Sequence, residues 1–130
     1  MAKHIEDDHQ ESLVQWAKLR RLPEGENIES GAKVIDYLYA IPNGGTRNKR
    51  EAGRLKMQGV KAGVSDLHFA LPINGKSGLW IEMKQPDRKK ASVTALQKAW
   101  IARMKLAGYD AHVCYGYQEA KQVIENYIAA

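Results

Sequence analysis

The chain lacks the features of secreted and membrane proteins. Its 130 residues include one cysteine, Cys114, which excludes an intrachain disulfide framework and favours a reducing compartment. No apolar run approaches the roughly 20 residues that a membrane-spanning helix needs. Residues 1–11 are charged and polar, without a secretory signal pattern. We therefore expect a cytoplasmic protein with no membrane association, and its length fits one domain over residues 1–130.

Three common functional motifs are also missing. Gly75-Lys76-Ser77 suggests a phosphate-binding loop, but that motif needs a glycine where Ala70 stands. A strand is predicted to follow, so no helix N-terminus is available to hold phosphate and no nucleotide cofactor is expected. His112 and Cys114 share a strand face, yet without a second cysteine pair we interpret them as buried structural residues rather than a zinc site. No Gly-x-Ser-x-Gly nucleophile elbow occurs.

Hydrophobic periodicity and turn residues predict alternating helices and strands. Apolar residues at helical spacing indicate helices over residues 5–20, 48–57, 94–107 and 118–128. Alternating or β-branched stretches indicate strands over residues 34–41, 64–71, 78–83 and 111–115. Thr94 and Gln97 fit a capping box at the start of the third helix. The order predicts an α/β fold with a central mixed β-sheet flanked by helices.

Three charged residues occupy strand positions surrounded by apolar ones. Asp66 precedes Leu67-His68-Phe69, and Glu82 and Lys84 lie in Trp80-Ile81-Glu82-Met83-Lys84. Since successive side chains of a strand point to opposite faces, Glu82 and Lys84 share one face. Two carboxylates beside an ammonium group suit a phosphate and a divalent cation that prefers hard oxygen ligands, Mg²⁺ or Mn²⁺. The alternative is an exposed edge strand with a surface ion pair.

Positive charge is concentrated on both sides of the acidic positions. The formal net charge is +5 and the pI is near 9.3, which favours polyanionic partners. One basic cluster comprises Arg47, Lys49, Arg50, Arg54, Lys56 and Lys61, and a second comprises Lys84, Arg88, Lys89 and Lys90. Basic clusters that bracket two carboxylates fit a phosphate-backbone substrate, although each cluster alone also fits a solvated loop.

Six motifs in order along the chain resemble the VRR-NUC family of the PD-(D/E)XK nuclease superfamily. They are Glu6-x-x-x-Gln10-x-x-Leu13-x-x-Trp16, Ile41-Pro42-Asn43-Gly44-Gly45 with Arg47, residues 59–66 ending in Asp66, Ile81-Glu82-Met83-Lys84, Gln97 with Trp100, and a final group of Gly108, Val113, Gly116 and Glu119. The resemblance covers nearly the whole chain and implies the restriction-endonuclease-like core of the superfamily. One departure is Ser65, where the family most often has proline before the aspartate.

The resemblance extends the expected metal site beyond Asp66 and Glu82. The backbone carbonyl of Met83 is expected as a third oxygen ligand, and Lys84 is expected to orient the attacking water or stabilise charge on phosphorus. The resemblance also implies that Glu6 reaches the metal from the first helix. Glu11 is the alternative acid, because only the apolar pattern sets the register of that helix.

Further residues are expected around the metal site. Gln97 is expected to position Lys84, water or a phosphate, with a polar helix surface as the alternative, and Gln10 is a lesser candidate. His68 shares a strand face with Asp66 and fits either a supporting role or a packed core position. The expected DNA-backbone contacts, which position a duplex without reading its sequence, are Asn43, Arg47, Lys49, Arg50 and Arg54.

The function implied is a divalent-metal-dependent DNA endonuclease that uses Mg²⁺ or Mn²⁺. Small stand-alone members, of phage or bacterial type, look like structure-selective nucleases similar to Holliday junction resolvases, so branched or junction duplex DNA and the bacterial cytoplasm are expected. Two symmetric cuts would suit a homodimer. Trp16, Tyr37, Tyr39 and Ile41 are candidates for its interface or for a fuller monomer core. The alternatives are a flap or single-strand nuclease, and a non-catalytic DNA-binding module that keeps the fold.

Overall fold

A computed structural model of the chain describes residues 4–42 and 48–130. The helices are α1 (Ile5–Ala17), α2 (Lys49–Met57), α3 (Ala95–Leu106) and α4 (Tyr117–Ala129). The strands are β1 (Leu38–Ala40), β2 (Leu67–Phe69), β3 (Leu79–Lys84) and β4 (Asp110–Tyr115). Two short 3₁₀ turns, Val34–Asp36 and Arg88–Lys90, precede β1 and follow β3. Within the described ranges, no helix is long and apolar enough to span a membrane.

The strands form one mixed sheet in the order β1-β2-β3-β4. The β1–β2 and β2–β3 pairs are antiparallel, and β3–β4 is parallel with α3 as the crossover. The register places Leu67 opposite Ile81 in β2–β3 and Glu82 opposite Val113 in β3–β4. The predicted α/β fold, with a mixed central sheet between helices, is confirmed.

One face of the sheet carries the apolar core. Phe69, Ile81 and Met83 are fully buried on this face, and they form one cluster with Leu13 of α1 and Ile124 of α4. Burial of a side chain of this size contributes about 1.5–3 kcal/mol. Because α1 and α4 both pack on this face, every second residue of β3 is fixed in orientation.

The opposite face carries aromatic and charged side chains. The register aligns Tyr39 of β1, His68 of β2 and Trp80 of β3 across three strands. Since side chains two residues apart share a strand face, Glu82 lies on the same face as Trp80. Helix α3 covers this face, because the ring of its Trp100 meets the Trp80 ring edge-on at 5.3 Å between centroids.

Several predicted element boundaries were wrong by a few residues. The predicted strand over residues 34–41 begins as a 3₁₀ turn, because the Asp36 carboxylate accepts the Lys33 N–H at 2.8 Å and competes with strand pairing. The helix predicted to reach residue 20 ends at Ala17, where Leu19 and Arg20 both donate to the Trp16 carbonyl and close the turn.

One further expectation about a strand needs correction. The strand predicted over residues 64–71 is confined to Leu67–Phe69. Gly63, four residues earlier, turns the chain with a positive φ of 89°. Leu96, one of the apolar positions of α3, is 60% exposed. The capping box between Thr94 and Gln97 is confirmed.

Candidate active site

Asp66 is held by the strands on both sides of β2. Its carboxylate oxygen Oδ2 accepts the backbone N–H of Met83 in β3 at 2.7 Å. Its backbone carbonyl accepts the N–H of Ile41, just after β1, at 2.8 Å. These two hydrogen bonds fix both the backbone and the side chain of Asp66, which directly precedes β2.

Glu82 lies almost entirely inside the protein, at 2% exposure. Its oxygen Oε2 accepts a hydrogen bond from Gln97 Nε2 at 3.1 Å. The ammonium of Lys84, two residues further along β3, lies 3.9 Å from the same oxygen. Lys84 is itself 9% exposed, so this ion pair is not the surface pair that was the alternative interpretation of the sequence.

The side chain of Gln97 is fixed at both ends. Its Oε1 accepts the backbone N–H of Thr94 at 3.0 Å, and the backbone N–H of Gln97 donates to Thr94 Oγ1 at 3.1 Å. Because Oε1 is occupied as an acceptor, Nε2 is the atom that faces Glu82. The helix cap of α3 therefore also positions Glu82. Gln97 was expected to contact Lys84, water or a phosphate, and the group that it contacts is this carboxylate.

The second oxygen of Glu82 has no donor from outside the carboxyl pair, whose two side chains lie within hydrogen-bonding reach of each other. Oε1 is buried and receives no hydrogen bond from the described residues. Burial, and then the negative charge of Asp66, raise the pKa of Glu82 to about 9. Burial also raises the pKa of Asp66. Two neighbouring carboxyl groups of this kind are satisfied either by a shared proton or by a cation.

The acid of α1 that approaches this pair is Glu6. Burial, and then the charge of Asp66, raise the pKa of Glu6, while the nearby Lys84 ammonium lowers it. Glu11, the alternative acid, is exposed. It lines an open surface groove beside Gln10 and Asp7, rather than the carboxylate pair. The helix register therefore favours Glu6 as the third acid near the site.

The donor set of this site fits a hard divalent cation. The unpaired Oε1 of Glu82 and the Asp66 carboxylate offer oxygen ligands, which Mg²⁺ and Mn²⁺ prefer. The Met83 N–H points at Asp66, and its carbonyl lies on the same side of the strand because both groups of one strand residue point the same way. No cluster of three or more His, Cys, Asp or Glu side chains with metal-binding spacing occurs in the parts of the chain that the structure describes. Glu6 as a direct ligand therefore stays a prediction.

The expected DNA-backbone contacts divide into two groups. Asn43 and Arg47 lie outside the described residues. Lys49, Arg50 and Arg54 lie on α2, which has no buried residue. Arg50 and Arg54 are four residues apart on one helix face, where like charges destabilise a helix by about 0.2–0.5 kcal/mol unless an anion offsets them.

The sequence interpretation missed a stack of aromatic side chains beside the carboxylates. The ring of His68 lies on that of Trp80 at 4.0 Å and 11° between planes. Its Nδ1 hydrogen-bonds the Tyr39 hydroxyl at 2.9 Å, and burial lowers the pKa of His68. His68 is thus packed within this face, the second of its two predicted roles. The alternation of side chains along β3 puts Trp80 and Glu82 on the same face, and this is the one part of the aromatic group that the sequence could have predicted.

The candidates for a homodimer interface are partly used within the chain. Trp16 and Tyr37 are partly buried and pack against the core. Tyr39 is 51% exposed, and Ile41 is half-buried. Packing within the monomer therefore accounts for Trp16 and Tyr37, whereas Tyr39 and Ile41 remain candidates for an interface.

The chain is similar in sequence and structure to proteins of one family. The family model described as "VRR-NUC domain" matches residues 4–118. A solved structure described as "VRR_NUC domain protein" is 30% identical, with 96% of this chain and 88% of that chain covered and a TM-score of 0.77. No match was found among curated proteins.

Proposed function

The chain belongs to the VRR-NUC domain family, a family of nuclease-type domains, and from that premise we propose that it is a divalent-metal-dependent DNA endonuclease. The proposed reaction is hydrolysis of a phosphodiester bond at the Asp66–Glu82–Lys84 site. The proposed cofactor is Mg²⁺ or Mn²⁺, and the proposed substrate is branched or junction duplex DNA.

The observation that carries this proposal is that the two carboxylate oxygens of Glu82 differ in their hydrogen-bond partners. The protein holds Oε2 through Gln97 and Lys84, whereas Oε1 is buried with no donor other than a proton shared with the neighbouring Asp66 carboxyl. A structural carboxylate buried to this extent would normally have both oxygens satisfied. An acceptor left open next to a second carboxyl group supports a cation-binding role.

The residues of the site have distinct proposed jobs. Asp66, Glu82 and the Met83 carbonyl would hold the cation, with Glu6 approaching from α1. When bound, a divalent cation polarises the phosphoryl oxygen and lowers the pKa of a water nucleophile. Lys84 places its ammonium next to Glu82, where it stabilises negative charge that develops on the phosphate. Gln97 keeps Glu82 in one orientation.

The basic residues Lys49, Arg50 and Arg54 are proposed to bind the phosphate backbone. Such contacts position DNA without reading base sequence, so they suit recognition by shape. A homodimer would present two sites to the two strands of a junction. The competing function, a non-catalytic module, predicts loss of Asp66, Glu82 or Lys84, yet all three are present.

Cleavage assays on a panel of labelled DNAs test this proposal. Linear duplex, nicked duplex, flap, single-stranded and four-way junction DNA would each be incubated with Mg²⁺, Mn²⁺, Ca²⁺ or EDTA. Cleavage with Mg²⁺ and Mn²⁺, little with Ca²⁺, and none in EDTA is expected, because the looser coordination of Ca²⁺ aligns water poorly. Full activity in EDTA, or binding without cleavage under every condition, would contradict it.

A further inference from the structure

An apolar pocket lies beside the carboxylate site. Its volume is about 410 Å³. Its walls include Ile41, Pro42, Val60, Lys61, Val64 and Trp100. Val60 remains 40% exposed at this pocket. The candidate site described above uses none of these side chains, so the pocket is free to make a separate contact with a ligand.

The pocket is built on the elements that hold the carboxylates. Val64 stands two residues before Asp66, and the Ile41 N–H donates to the Asp66 carbonyl at 2.8 Å. Trp100 follows Gln97 by three residues on α3, which is about one helical turn, or roughly 5 Å. Gln97 contacts Glu82 and Trp100 contacts Trp80, two residues earlier on β3. A group in this pocket is therefore a near neighbour of a group at the carboxylates.

The walls of the pocket combine apolar surface with positive charge. Lys61 lies at the pocket, and the pocket wall follows directly from the basic helix α2. A nucleobase matches both features, since it has flat apolar faces and an attached phosphate. An apolar protein segment matches only the first.

We propose that this pocket binds one unstacked nucleobase, next to the phosphate that occupies the Asp66–Glu82–Lys84 site. The position of the base rests on the proposed function, and its binding does not require cleavage. A base in this pocket has left its helical stack, and leaving the stack costs least where a nucleotide is already unpaired. The pocket therefore selects branch points and single-stranded regions over continuous duplex.

Two pocket variants and one control variant test the proposal. Val60→Trp fills the pocket from an exposed position, and Trp100→Phe keeps a ring against Trp80 but reduces the aromatic wall of the pocket. Leu106→Trp is the matched control, since Leu106 is 91% exposed at the far end of the same helix. Melting temperatures would establish that all three variants fold.

Affinity would be measured in EDTA, where no cleavage occurs, on a junction DNA in which a single abasic site is moved through the nucleotides around the branch. For the wild type, one abasic position should weaken binding by about tenfold, which is the usual value of one stacked base. Val60→Trp should weaken binding to intact DNA about tenfold and be insensitive to that same abasic position. Trp100→Phe should bind intact DNA several-fold more weakly than the wild type does. The difference between the two proteins should be smaller on DNA with the abasic site at that same position. Leu106→Trp should match the wild type.

Three results would overturn the pocket proposal. One is equal affinity of the wild type for every abasic DNA. Another is an additive loss of affinity, in which the abasic site weakens binding of Val60→Trp by the same factor as it weakens binding of the wild type. The third is a change of molecular mass in Val60→Trp without DNA, because it would show that a second copy of the chain occupies the pocket. A wild type that cleaves DNA but shows no coupling refutes the pocket alone, whereas coupling without any cleavage refutes the nuclease function alone.

Discussion

The two faces of the central sheet differ in how well their buried groups are satisfied. The face against α1 and α4 holds apolar side chains such as Phe69, Ile81 and Met83, all fully buried. The face against α3 holds Glu82, His68 and Trp80, whose buried polar atoms include some without hydrogen-bond partners among the described residues. Ser65, just before β2, also has a buried hydroxyl without a partner among the described residues.

On β3, residues that stabilise the fold point to one face of the sheet, and residues of the candidate site point to the other. An unsatisfied buried polar group costs about 1–3 kcal/mol, so a sheet face that carries several such groups is maintained for a reason other than stability. The apolar face supplies the compensating burial. Ile81 and Glu82 are neighbours in β3, yet one belongs to the core and the other to the site.

The largest expected effect comes from removing a carboxylate. Glu82→Ala or Asp66→Ala should reduce cleavage by about a thousandfold or more, because the site loses its ligands for the cation. DNA affinity should stay within a few-fold of the wild type or increase, since the basic residues of α2 remain. Cleavage rates, and affinities in EDTA, would be compared with those of Glu26→Gln, which changes an exposed glutamate in the segment between α1 and β1. Near-normal cleavage by Glu82→Ala would place the chemistry elsewhere.

The next effect comes from the neighbouring residue on the other face. Ile81→Ala should lower the free energy of unfolding by about 2–5 kcal/mol, because it leaves a cavity at a fully buried position of the core. Cleavage by the folded fraction at low temperature should remain close to normal. Denaturant unfolding would measure the loss. A small loss of stability with a large loss of folded-state activity would remove the distinction between the two faces.

The pH dependence of stability should also separate the faces. The pKa of Glu82, raised to about 9, means that the folded protein binds a proton that the unfolded chain releases near the ordinary value of 4.5. Because the folded state binds more protons in this window, the stability of the metal-free protein should fall as pH rises from 5.5 to 8.5. Asp66 and Glu6, whose pKa values are also raised, add to the fall.

Glu82→Gln isolates the contribution of this carboxyl group. The variant should melt about 5 °C above the wild type at pH 8.5 and close to it at pH 5.5, since an amide carries no charge to bury. Melting curves in EDTA would measure both slopes. Parallel slopes in the two proteins would show that Glu82 carries no raised pKa.

The smallest effect concerns the exposed basic helix. Replacing Lys49, Arg50 and Arg54 together with alanine should weaken binding to all DNAs by about tenfold or more at low salt. Each lost phosphate contact should remove a slope of about 0.9 from log K against log salt concentration. A pair of exposed cations on α3, Arg103 and Lys105, provides the control substitution. An unchanged slope would make α2 an ordinary solvated surface.

The sequence was sufficient for the parts of the site that depend on local periodicity. The alternation of β3 placed Glu82 and Lys84 on one face, and the spacing of Thr94 and Gln97 predicted the cap that now positions Glu82. The apolar alternation around Asp66 predicted a strand, and β2 begins one residue later.

The remaining features depend on register and on crossing of elements, which local patterns do not encode. The aromatic cluster of Tyr39, His68 and Trp80 requires the alignment of three strands. The pocket at Trp100 requires the packing of α3 against the segment after α2. The start of β1 was misjudged because a single side-chain bond from Asp36 competes with strand pairing over β-branched residues.

The central claim is that the face carrying Asp66 and Glu82 is a divalent-cation site, and calorimetric titration of the protein with Mn²⁺ tests it most directly. We predict one ion bound per chain, with proton release and with tighter binding at pH 8 than at pH 6.5, because the cation replaces the proton held at Glu82. Glu82→Gln should bind at least about tenfold more weakly and release fewer protons, whereas Glu26→Gln should match the wild type. Identical Mn²⁺ isotherms for the wild type and Glu82→Gln would contradict the account.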